Sequence, residues 1–483
     1  MNTLLNGMKN ATNFGYTENG ALTHKTTGSA LLDLFGLGGS CRDKMDSDCI
    51  MLFANAFAED PTYALKCLFY LGDCRGGQGE RRFFRVCAKW LANNHPEAMK
   101  RNLIFIPEYR RWDDLYTFVD TPLENDAFAL IKHQLALDVQ SKTPSLLAKW
   151  LKSENTSSIE SRKLAGRTRE YLGMNHKQYR KTLSILRARI NVLETLMSAG
   201  RWDEIEFDKI PSRAGLIYRN AFAVNDFTKE RYAAFMAQKN VKVNAGVLNP
   251  VDIAEKVIQT YRINPTERNA LNAYWNNLTD YYNGREENGL CVVDVSGSMS
   301  GQPMYAAVGM GAYIAERGHG PFANHFITFS GNPQIVEIKG QDIVDKLSNI
   351  EKADWGYNTD IQKVLDLILN TAINTKCSAA DMPTRLYVFS DMQFDTGLQC
   401  SNEGHLMTIF EANAQKWKKY GYNLPQVIFW NLRASENNIP ALGDKFSYVS
   451  GFSMNMISEI LGGKTGLELM FAKLDSPRYE RVR

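Results

Sequence analysis

The change in sequence pattern near residue 285 constrains the fold of this chain more than any other feature. Between about residues 45 and 280 the apolar residues recur at helical spacing, as in Ile50 and Phe53. After the polar segment NGREENG, short β-rich apolar runs alternate with amphipathic helical segments. We therefore predict two parts, an all-α region over residues 1–285 and an α/β domain over residues 286–483.

The helical part consists of segments that each predict one helix. Clear examples are DPTYALKCLFYLGD, ERRFFRVCAKWLANN and RYAAFMAQKN, which are separated by short loops. Such connections are typical of stacked helical pairs, so we expect a helical-repeat array of the HEAT type.

The C-terminal part predicts an open sheet. Its apolar runs are residues 290–296, 325–330, 335–340, 385–391, 426–433 and 446–452. Helices are expected between them at about residues 303–317, 341–350, 360–373, 404–420 and 453–473. This alternation predicts a doubly wound, largely parallel sheet with helices on both faces.

Composition excludes several classes of protein. Of the 483 residues, 44% are hydrophobic and 23% are charged, which argues against a disordered or fibrous chain. No apolar run is long enough to span a membrane and no signal-peptide pattern opens the chain, so we expect a cytoplasmic protein without a membrane anchor. The eight cysteines include no C-x-x-C pair, which predicts packed, reduced thiols instead of a zinc site or a disulfide framework.

The sharpest functional signal is the D-x-S-x-S spacing of Asp294, Ser296 and Ser298, directly after the apolar run LCVV. Ligands of a doubly wound sheet bind at the carboxyl edge of its strands, where this motif falls. Carboxylate and hydroxyl oxygens suit Mg²⁺ or Mn²⁺. Thr359 in GYNTD and Asp391 in VFSDMQF lie at further strand-edge positions, so we predict that these five residues hold one divalent ion. In the alternative interpretation, the Asp and Ser residues serve only as helix N-caps.

This arrangement resembles the metal-ion-dependent adhesion site of von Willebrand factor type A domains, over about residues 286–483. The resemblance implies that a ligand carboxylate completes the coordination of the metal. Enzymatic interpretations of the segment fail, because Ser296 stands where a haloacid-dehalogenase-type phosphotransferase needs a second Asp, and Met299 stands at the centre of a G-x-S-x-G spacing. The pattern shows no positioned base, so we expect no catalytic residues.

A second signal is the basic segment between residues 162 and 189. It contains nine basic residues and the single acidic residue Glu170, so its net charge is +8. Because the whole chain has a net charge of +3, the rest of the chain carries −5. Tyr171, His176 and Tyr179 lie among these basic residues. The basic side chains can contact the phosphates of a nucleic acid, and the three rings can stack on its bases. The predicted RNA-binding residues are Arg162, Lys163, Arg167, Arg169, Lys177, Arg180, Lys181, Arg187 and Arg189. A solvated helix face or an interdomain ion-pair surface is the alternative interpretation.

A glycine-rich segment, GDCRGGQGERR at residues 72–82, precedes a predicted helix. Backbone amides at that helix start can bind an anion, although no G-K-[ST] follows as in a P-loop. The interpretation that we favour is a tight interhelical turn in which the glycines permit positive φ.

Motifs along nearly the whole chain resemble a known arrangement. They are TENGALTHKTTGSALLDLF, RGGQGERR, NAGVLNP, VVDVSGSM, NTDIQKVLDLIL, VFSDMQF, VIFWNLR and VSGFS. They look like a family of helical proteins that end in a von Willebrand A domain, similar in layout to the TROVE proteins, the Ro autoantigen group. The resemblance implies a ring of helical repeats closed by the A domain, which binds small structured RNAs on its outer surface and single-stranded RNA ends in its basic hole. One departure is Val251-Asp252 after Pro250, where the family has a P-H-E stretch.

Two functions follow as hypotheses. The first is a non-enzymatic RNA-binding scaffold, part of a ribonucleoprotein, with a Mg²⁺-dependent adhesion module. The second is a protein-interaction adaptor that captures an exposed Asp or Glu of a partner through the bound metal, without nucleic acid. The two hypotheses use different surfaces, so both can hold.

Overall fold

The order of elements follows the two-part pattern. The structure is a computed structural model that describes residues 8, 12–190, 192–329, 331–352, 359–400 and 406–483. Within those ranges, residues 25–288 form helices and loops without a strand, and strands alternate with helices afterwards. The expected segments at residues 325–330 and 404–420 each extend to residues outside the described ranges, namely 330, 404 and 405.

A short hairpin precedes the helical part and was not predicted. Its strands are β1 (Phe14–Tyr16) and β2 (Leu22–His24), which pair antiparallel. The α-helices that follow are α1 (Ala30–Leu37), α2 (Asp46–Glu59), α3 (Pro61–Gly72), α4 (Arg81–Asn94), α5 (Pro96–Asn102), α6 (Ile106–Tyr109), α7 (Glu124–Gln140), α8 (Leu147–Trp150), α9 (Ile159–Tyr171), α10 (His176–Ile190), α11 (Leu193–Ser198), α12 (Ser212–Val224), α13 (Lys229–Met236), α14 (Pro250–Gln259) and α15 (Pro265–Asn276). A 3₁₀ segment at Trp112–Phe118 connects α6 and α7.

Local sequence explains where several of these helices begin. Asp60 caps α3 by accepting hydrogen bonds from the Thr62 and Tyr63 amides, and Pro61 occupies the first turn. At α14, Asn249 and Asp252 form a reciprocal capping box around Pro250. Asp252, part of the departure from the family pattern, therefore stabilises the start of a helix.

The C-terminal part contains a six-stranded sheet. Its elements are β3 (Gly289–Val293), α16 (Gln302–Arg317), β4 (His325–Thr328), β5 (Ile335–Glu337), α17 (Ile343–Glu351), α18 (Ile361–Thr375), β6 (Arg385–Ser390), α19 (Ile409–Lys419), β7 (Gln426–Asn431), β8 (Phe446–Ser450), α20 (Ile457–Leu461) and α21 (Gly466–Leu474). Among the strands of the described residues the order is β5-β4-β3-β6-β7-β8, and only β5 runs antiparallel to its neighbour. The prediction of a largely parallel, doubly wound sheet is confirmed. The strands that follow β3 in sequence are added on one side of it up to β5, and those from β6 to β8 are added on the other side, so the order reverses between β3 and β6.

Helix packing and ion pairs join the two parts. Helix α14 lies against α16, where a Cβ added to Gly309 would come within 2.9 Å of the Pro250 carbonyl oxygen. Arg268 on α15 donates two hydrogen bonds to the carboxylate of Asp342, at 2.6 and 2.9 Å. The close approach of α14 to α16 depends on Gly309, because a side chain at that position would collide with α14.

The N-terminal hairpin contacts the C-terminal sheet domain. The His24 amide donates to the Ile439 carbonyl at 2.9 Å, and His24 Nε2 lies 2.8 Å from Oε1 of Glu411. Helix α1 packs on β8, where Gly36 lies beside Tyr448. Residues on the helical side of the predicted boundary thus cover part of the C-terminal sheet.

The glycine-rich segment forms a tight turn in the described structure. A Cβ at Gly77 would lie 1.8 Å from the Tyr70 carbonyl oxygen, and Gly79 has φ +66°. The start of α4 is occupied by the side chain of Glu80, which accepts from the Arg82 and Phe83 amides. The Gly77 carbonyl accepts a hydrogen bond from Asn455, so this turn connects the helical part to the C-terminal part. Because Glu80 caps α4, the amides at the start of that helix already have a partner.

Candidate metal centre

The carboxyl edge of the sheet brings the predicted ligands of two neighbouring strands together. Strands β3 and β6 pair in parallel with Val293 opposite Phe389. The Asp294 amide then donates to the Phe389 carbonyl at 3.0 Å, so Asp294 and Asp391 follow adjacent strands at the point where strand order reverses.

Asp294 is held in one orientation by short hydrogen bonds. The residue is buried, with 1% of its surface exposed. Oδ1 accepts from the Ser296 amide at 2.9 Å and Oδ2 accepts from the Ser390 hydroxyl at 2.6 Å. Ser296 Oγ and Ser298 Oγ lie 3.1 Å apart. The D-x-S-x-S spacing therefore forms a local turn that collects one carboxylate and two hydroxyls.

Asp391 supplies the second carboxylate. It is 2% exposed, and its Oδ1 accepts from the Gln393 amide at 3.2 Å. Burial, together with the charge of Asp391, raises the pKa of Asp294 to about 7. Burial also raises the pKa of Asp391, while the Ser298 hydroxyl and the Arg433 guanidinium oppose that rise.

The donor chemistry fits a small, hard divalent cation. Within the ranges that the structure describes, neither Asp294 nor Asp391 has a basic side chain within ion-pair distance. Two buried carboxylates that have only Arg433 as a nearby positive charge are costly, and a cation between them would offset that cost. No group of three or more His, Cys, Asp or Glu side chains suited to a metal occurs among the described residues, so hydroxyls would have to complete the ligand set.

Thr359 takes part in a neighbouring hydrogen-bond network. Its hydroxyl lies 2.8 Å from both the Gln393 carbonyl and Oδ1 of Asp395, and it accepts from Asn19 at 2.9 Å. In the described contacts, Thr359 meets the Asp391 loop through Gln393 and not through the other predicted ligands. Its role as a ligand stays a prediction.

Several residues at this edge were missed by sequence reasoning. Ser390 directly precedes Asp391, and a hydroxyl beside a strand-end carboxylate is a signal that could have identified it. Asn19 and Glu18 come from the N-terminal hairpin, where the Glu18 amide donates to Gln393 Oε1 at 2.8 Å. Arg433, after β7, donates to the Ser298 carbonyl and lies 3.4 Å from Asp43. No local pattern could place these last three residues here.

The basic segment forms helices α9 and α10, and more than half of its cations contact the chain itself. Arg167 pairs with Asp120 at 2.8 Å, and Arg187 donates to the carbonyls of Ala148 and Leu151. The residues with such contacts are Arg162, Arg167, Arg169, Arg187 and Arg189. For these five, the structure shows a role in joining helices and loops.

The other four cations face solvent. Lys163, Lys177, Arg180 and Lys181 are exposed, and they form no ion pair within the described chain. Lys177, Arg180 and Lys181 stand at helical spacing on α10, so they share one face. These four residues are the part of the predicted RNA surface that is free to meet a ligand.

Comparisons with known proteins match both parts. Residues 17–110 and 132–283 match a family model described as a domain of unknown function (DUF2828), and residues 288–474 match another (DUF7788). Uncharacterized protein L728 of Acanthamoeba polyphaga mimivirus is 31% identical over 498 aligned residues, which cover 94% of this chain and 85% of that protein.

Most of the chain also aligns with one solved structure. The crystal structure of the Deinococcus radiodurans RO (RSR) protein aligns with a TM-score of 0.45 and 14% identity, covering 93% of this chain and 99% of that one. Among the described residues, no helix is long and apolar enough to cross a bilayer. From the family models and the mimivirus relative, we conclude that the chain belongs to the DUF2828 family.

Proposed function

We propose that this chain is a non-enzymatic binding protein that holds Mg²⁺ or Mn²⁺ at Asp294, Ser296, Ser298, Thr359 and Asp391. The observation that carries the proposal is the pair of buried carboxylates at the switch point of the sheet, with hydroxyls beside them and no basic partner in the described structure. In this proposal the C-terminal part is a von Willebrand A-like module on a HEAT-like helical array, and the protein acts in the cytoplasm.

The chemistry of the site favours capture of an acidic group. Two carboxylates leave a divalent cation able to bind one more anionic oxygen, and Arg433 adds positive charge beside the same edge. The natural ligand is then an exposed Asp or Glu of a partner protein. The described groups at this edge are acids, hydroxyls and amides with one arginine, so we assign no catalytic residue.

Metal binding is the first step to test. We expect Mn²⁺ to bind the wild-type protein in a titration followed by electron paramagnetic resonance, and Asp294→Asn and Asp391→Asn to abolish saturable binding. Asp444→Asn, at an exposed position away from the edge, is the matched control. Equal Mn²⁺ binding by wild type and Asp294→Asn would rule out this site.

Partner capture is the second step. The immobilised protein should retain partners from a cell extract in Mg²⁺ and lose them in EDTA or after Asp294→Asn. Retention that is the same in all three conditions would leave the metal without a role in capture.

A second proposed function is RNA binding by α9 and α10, which makes the chain a TROVE-like scaffold. It is favoured by the four unpaired, exposed cations Lys163, Lys177, Arg180 and Lys181. Small structured or single-stranded RNA is the proposed ligand.

The salt dependence of RNA affinity tests this second function. Replacing Lys177, Arg180 and Lys181 by Gln should reduce the slope of log affinity against log salt by about 0.7 to 0.9 for each phosphate that the protein no longer neutralises. The control variant Lys239→Gln, with Lys242→Gln, removes two exposed charges elsewhere. Filter binding to a single-stranded oligonucleotide and to a hairpin RNA measures the slope, and an unchanged slope would count against this surface.

A further inference from the structure

A cavity in the helical part has charges and rings that the proposed functions do not use. Its volume is about 590 Å³, within the size range of small-molecule sites. The wall includes Arg85, Lys89 and Lys152, the rings of Trp90 and Tyr116, and Leu164 of α9.

Positive charge exceeds negative charge at this wall, which also includes the carboxylate of Asp113. Five cations surround the buried carboxylates of Asp113 and Asp114, and they are Arg81, Arg85, Arg110, Arg111 and Lys152. Arg85 Nε donates to Asp114 at 2.6 Å, whereas Lys152 Nζ stays 3.8 Å from Asp113. Arg81 has its pKa lowered by burial and by its cationic neighbours Arg85 and Arg111. The five cations exceed the two carboxylates by three charges, so the net charge of this group beside the cavity is positive.

Lys89 increases the imbalance. It lines the cavity from α4, is exposed, and forms no ion pair within the described ranges. Asp46 also lines the cavity, but it forms an ion pair with Arg82.

The two rings of the wall are held in place by their neighbours. Trp90 packs edge-on against Phe53 and Phe57, with ring centroids 6.0 and 6.4 Å apart. The Tyr116 hydroxyl lies 2.9 Å from the Thr168 hydroxyl, and Lys152 Nζ lies 5.7 Å from the centre of the Tyr116 ring. Fixed aromatic rings beside cations suit a ligand that has a planar ring and a phosphate.

We infer that this cavity binds a nucleotide, with its phosphates at Arg85, Lys89 and Lys152 and its base against Trp90 or Tyr116. The shared chemistry admits two sources, a free nucleotide and the phosphorylated end of an RNA strand. The inference does not depend on the metal centre.

Calorimetric titration of the full chain with ADP and with inorganic pyrophosphate tests the inference. We expect ADP to bind in the presence of EDTA, and Lys89→Ala and Lys152→Ala each to weaken its binding at least fivefold. Lys239→Ala is the matched control and should leave affinity unchanged. Because Lys89 is exposed and unpaired, its variant should keep the melting temperature of the wild type. Trp90→Leu or Tyr116→Leu should weaken ADP more than pyrophosphate, according to which ring the base meets, and Tyr116→Phe should retain ADP.

Two hexa-adenylates, with 5′-phosphate and with 5′-hydroxyl ends, identify the source. Preference for the phosphorylated strand assigns the cavity to an RNA end, and binding of ADP without such a preference assigns it to a free nucleotide. If neither ADP nor the phosphorylated strand binds, or if Lys89→Ala behaves like Lys239→Ala, the inference is wrong. Asp294→Asn should change none of these results, which separates this test from that of the metal centre.

Discussion

At the scale of single residues, the pKa of Asp294 determines the direction in which pH changes the stability of the metal-free protein. Its folded pKa of about 7 is above the ordinary value near 3.8, so the folded state binds this proton more tightly than the unfolded state. The stability that the group contributes therefore falls as pH rises from about 4 to about 7, and it is constant above that range.

We predict that Asp294→Asn stabilises the protein in EDTA. The gain over wild type should grow between pH 4 and pH 7, to an order of ~2 kcal/mol, because the amide carries no charge to bury. Chemical denaturation at several pH values measures it, and Mg²⁺ should reverse the ranking by stabilising only the wild type. A large loss of stability in EDTA would instead identify Asp294 as a structural cap.

Arg433 gives a second prediction at this scale. Its guanidinium lies beside the carboxyl edge and opposes the rise that burial causes in the pKa of Asp391, so it competes electrostatically with a bound cation. Arg433→Gln should raise Mn²⁺ affinity by a few fold, since one nearby positive charge is removed. Paramagnetic resonance titration at low and high salt checks it, and weaker Mn²⁺ binding by the variant would contradict it.

The residues of the candidate site could be predicted only where their positions follow from strand ends. Asp294, Ser296, Ser298 and Asp391 meet as expected, because β3 and β6 are parallel neighbours. Asn19 and Arg433 could not be predicted, because they reach the site through tertiary contacts with distant segments.

At the scale of elements, Glu411 is one of the residues that attach the hairpin β1–β2 to the C-terminal domain. The carboxylate lies 2.8 Å from His24 Nε2 and accepts from the amides of Leu442 and Thr408 at 2.9 and 3.0 Å. These contacts lower the pKa of Glu411 against the effect of burial, which acts in the opposite direction. The stability from Glu411 is thus present above its ordinary pKa and is lost as pH falls through the lowered value.

We predict that Glu411→Gln loses about 1 kcal/mol of stability at pH 7 and less at acidic pH. Urea denaturation at pH 7 and pH 4 measures the difference, and hydrogen exchange at the His24 amide reports whether the hairpin is released. Glu436→Gln, at an exposed position, is the control. Identical pH profiles for wild type and Glu411→Gln would show that this carboxylate does not hold the hairpin.

Helices were easier to predict than this hairpin. Apolar periodicity covers many turns in helices such as α4 and α18, so their presence and approximate ends followed from local sequence. The strands of the hairpin have three residues each and pair with each other, and the contacts that hold the hairpin in place lie in the C-terminal domain. A local pattern carries no signal for such an element.

At the scale of the whole molecule, the packing of α14 on α16 provides a test with a matched pair of glycines. Gly166 in α9 has open space around its missing Cβ, whereas a Cβ at Gly309 would lie 2.9 Å from the Ala254 Cβ. Both glycines are inside helices, so alanine gains helix propensity at each position.

We predict that Gly166→Ala stabilises the protein by about 0.5 to 1 kcal/mol and that Gly309→Ala destabilises it. Thermal unfolding should show a higher midpoint for the first variant and a lower midpoint for the second. If Gly309→Ala were as stable as Gly166→Ala, the two helices could separate without cost.

The arrangement of the whole chain was predictable in outline. The change of pattern near residue 285 separates helical from mixed sequence, and the described elements follow it. The mutual attachment of the chain ends was not predictable. The hairpin binds the C-terminal domain, while Tyr479 donates to Asp73 at 3.0 Å in the helical part, and such pairings leave no periodic trace in sequence.

The hairpin also sets an order of events during protein synthesis. Glu18 and Asn19 reach partners that are 375 and 374 residues further along the chain. At roughly 5 to 20 residues per second, a ribosome needs on the order of 20 to 75 seconds to deliver those partners. The hairpin is therefore synthesised well before the residues that it contacts, so it is among the last segments to find its place in the fold.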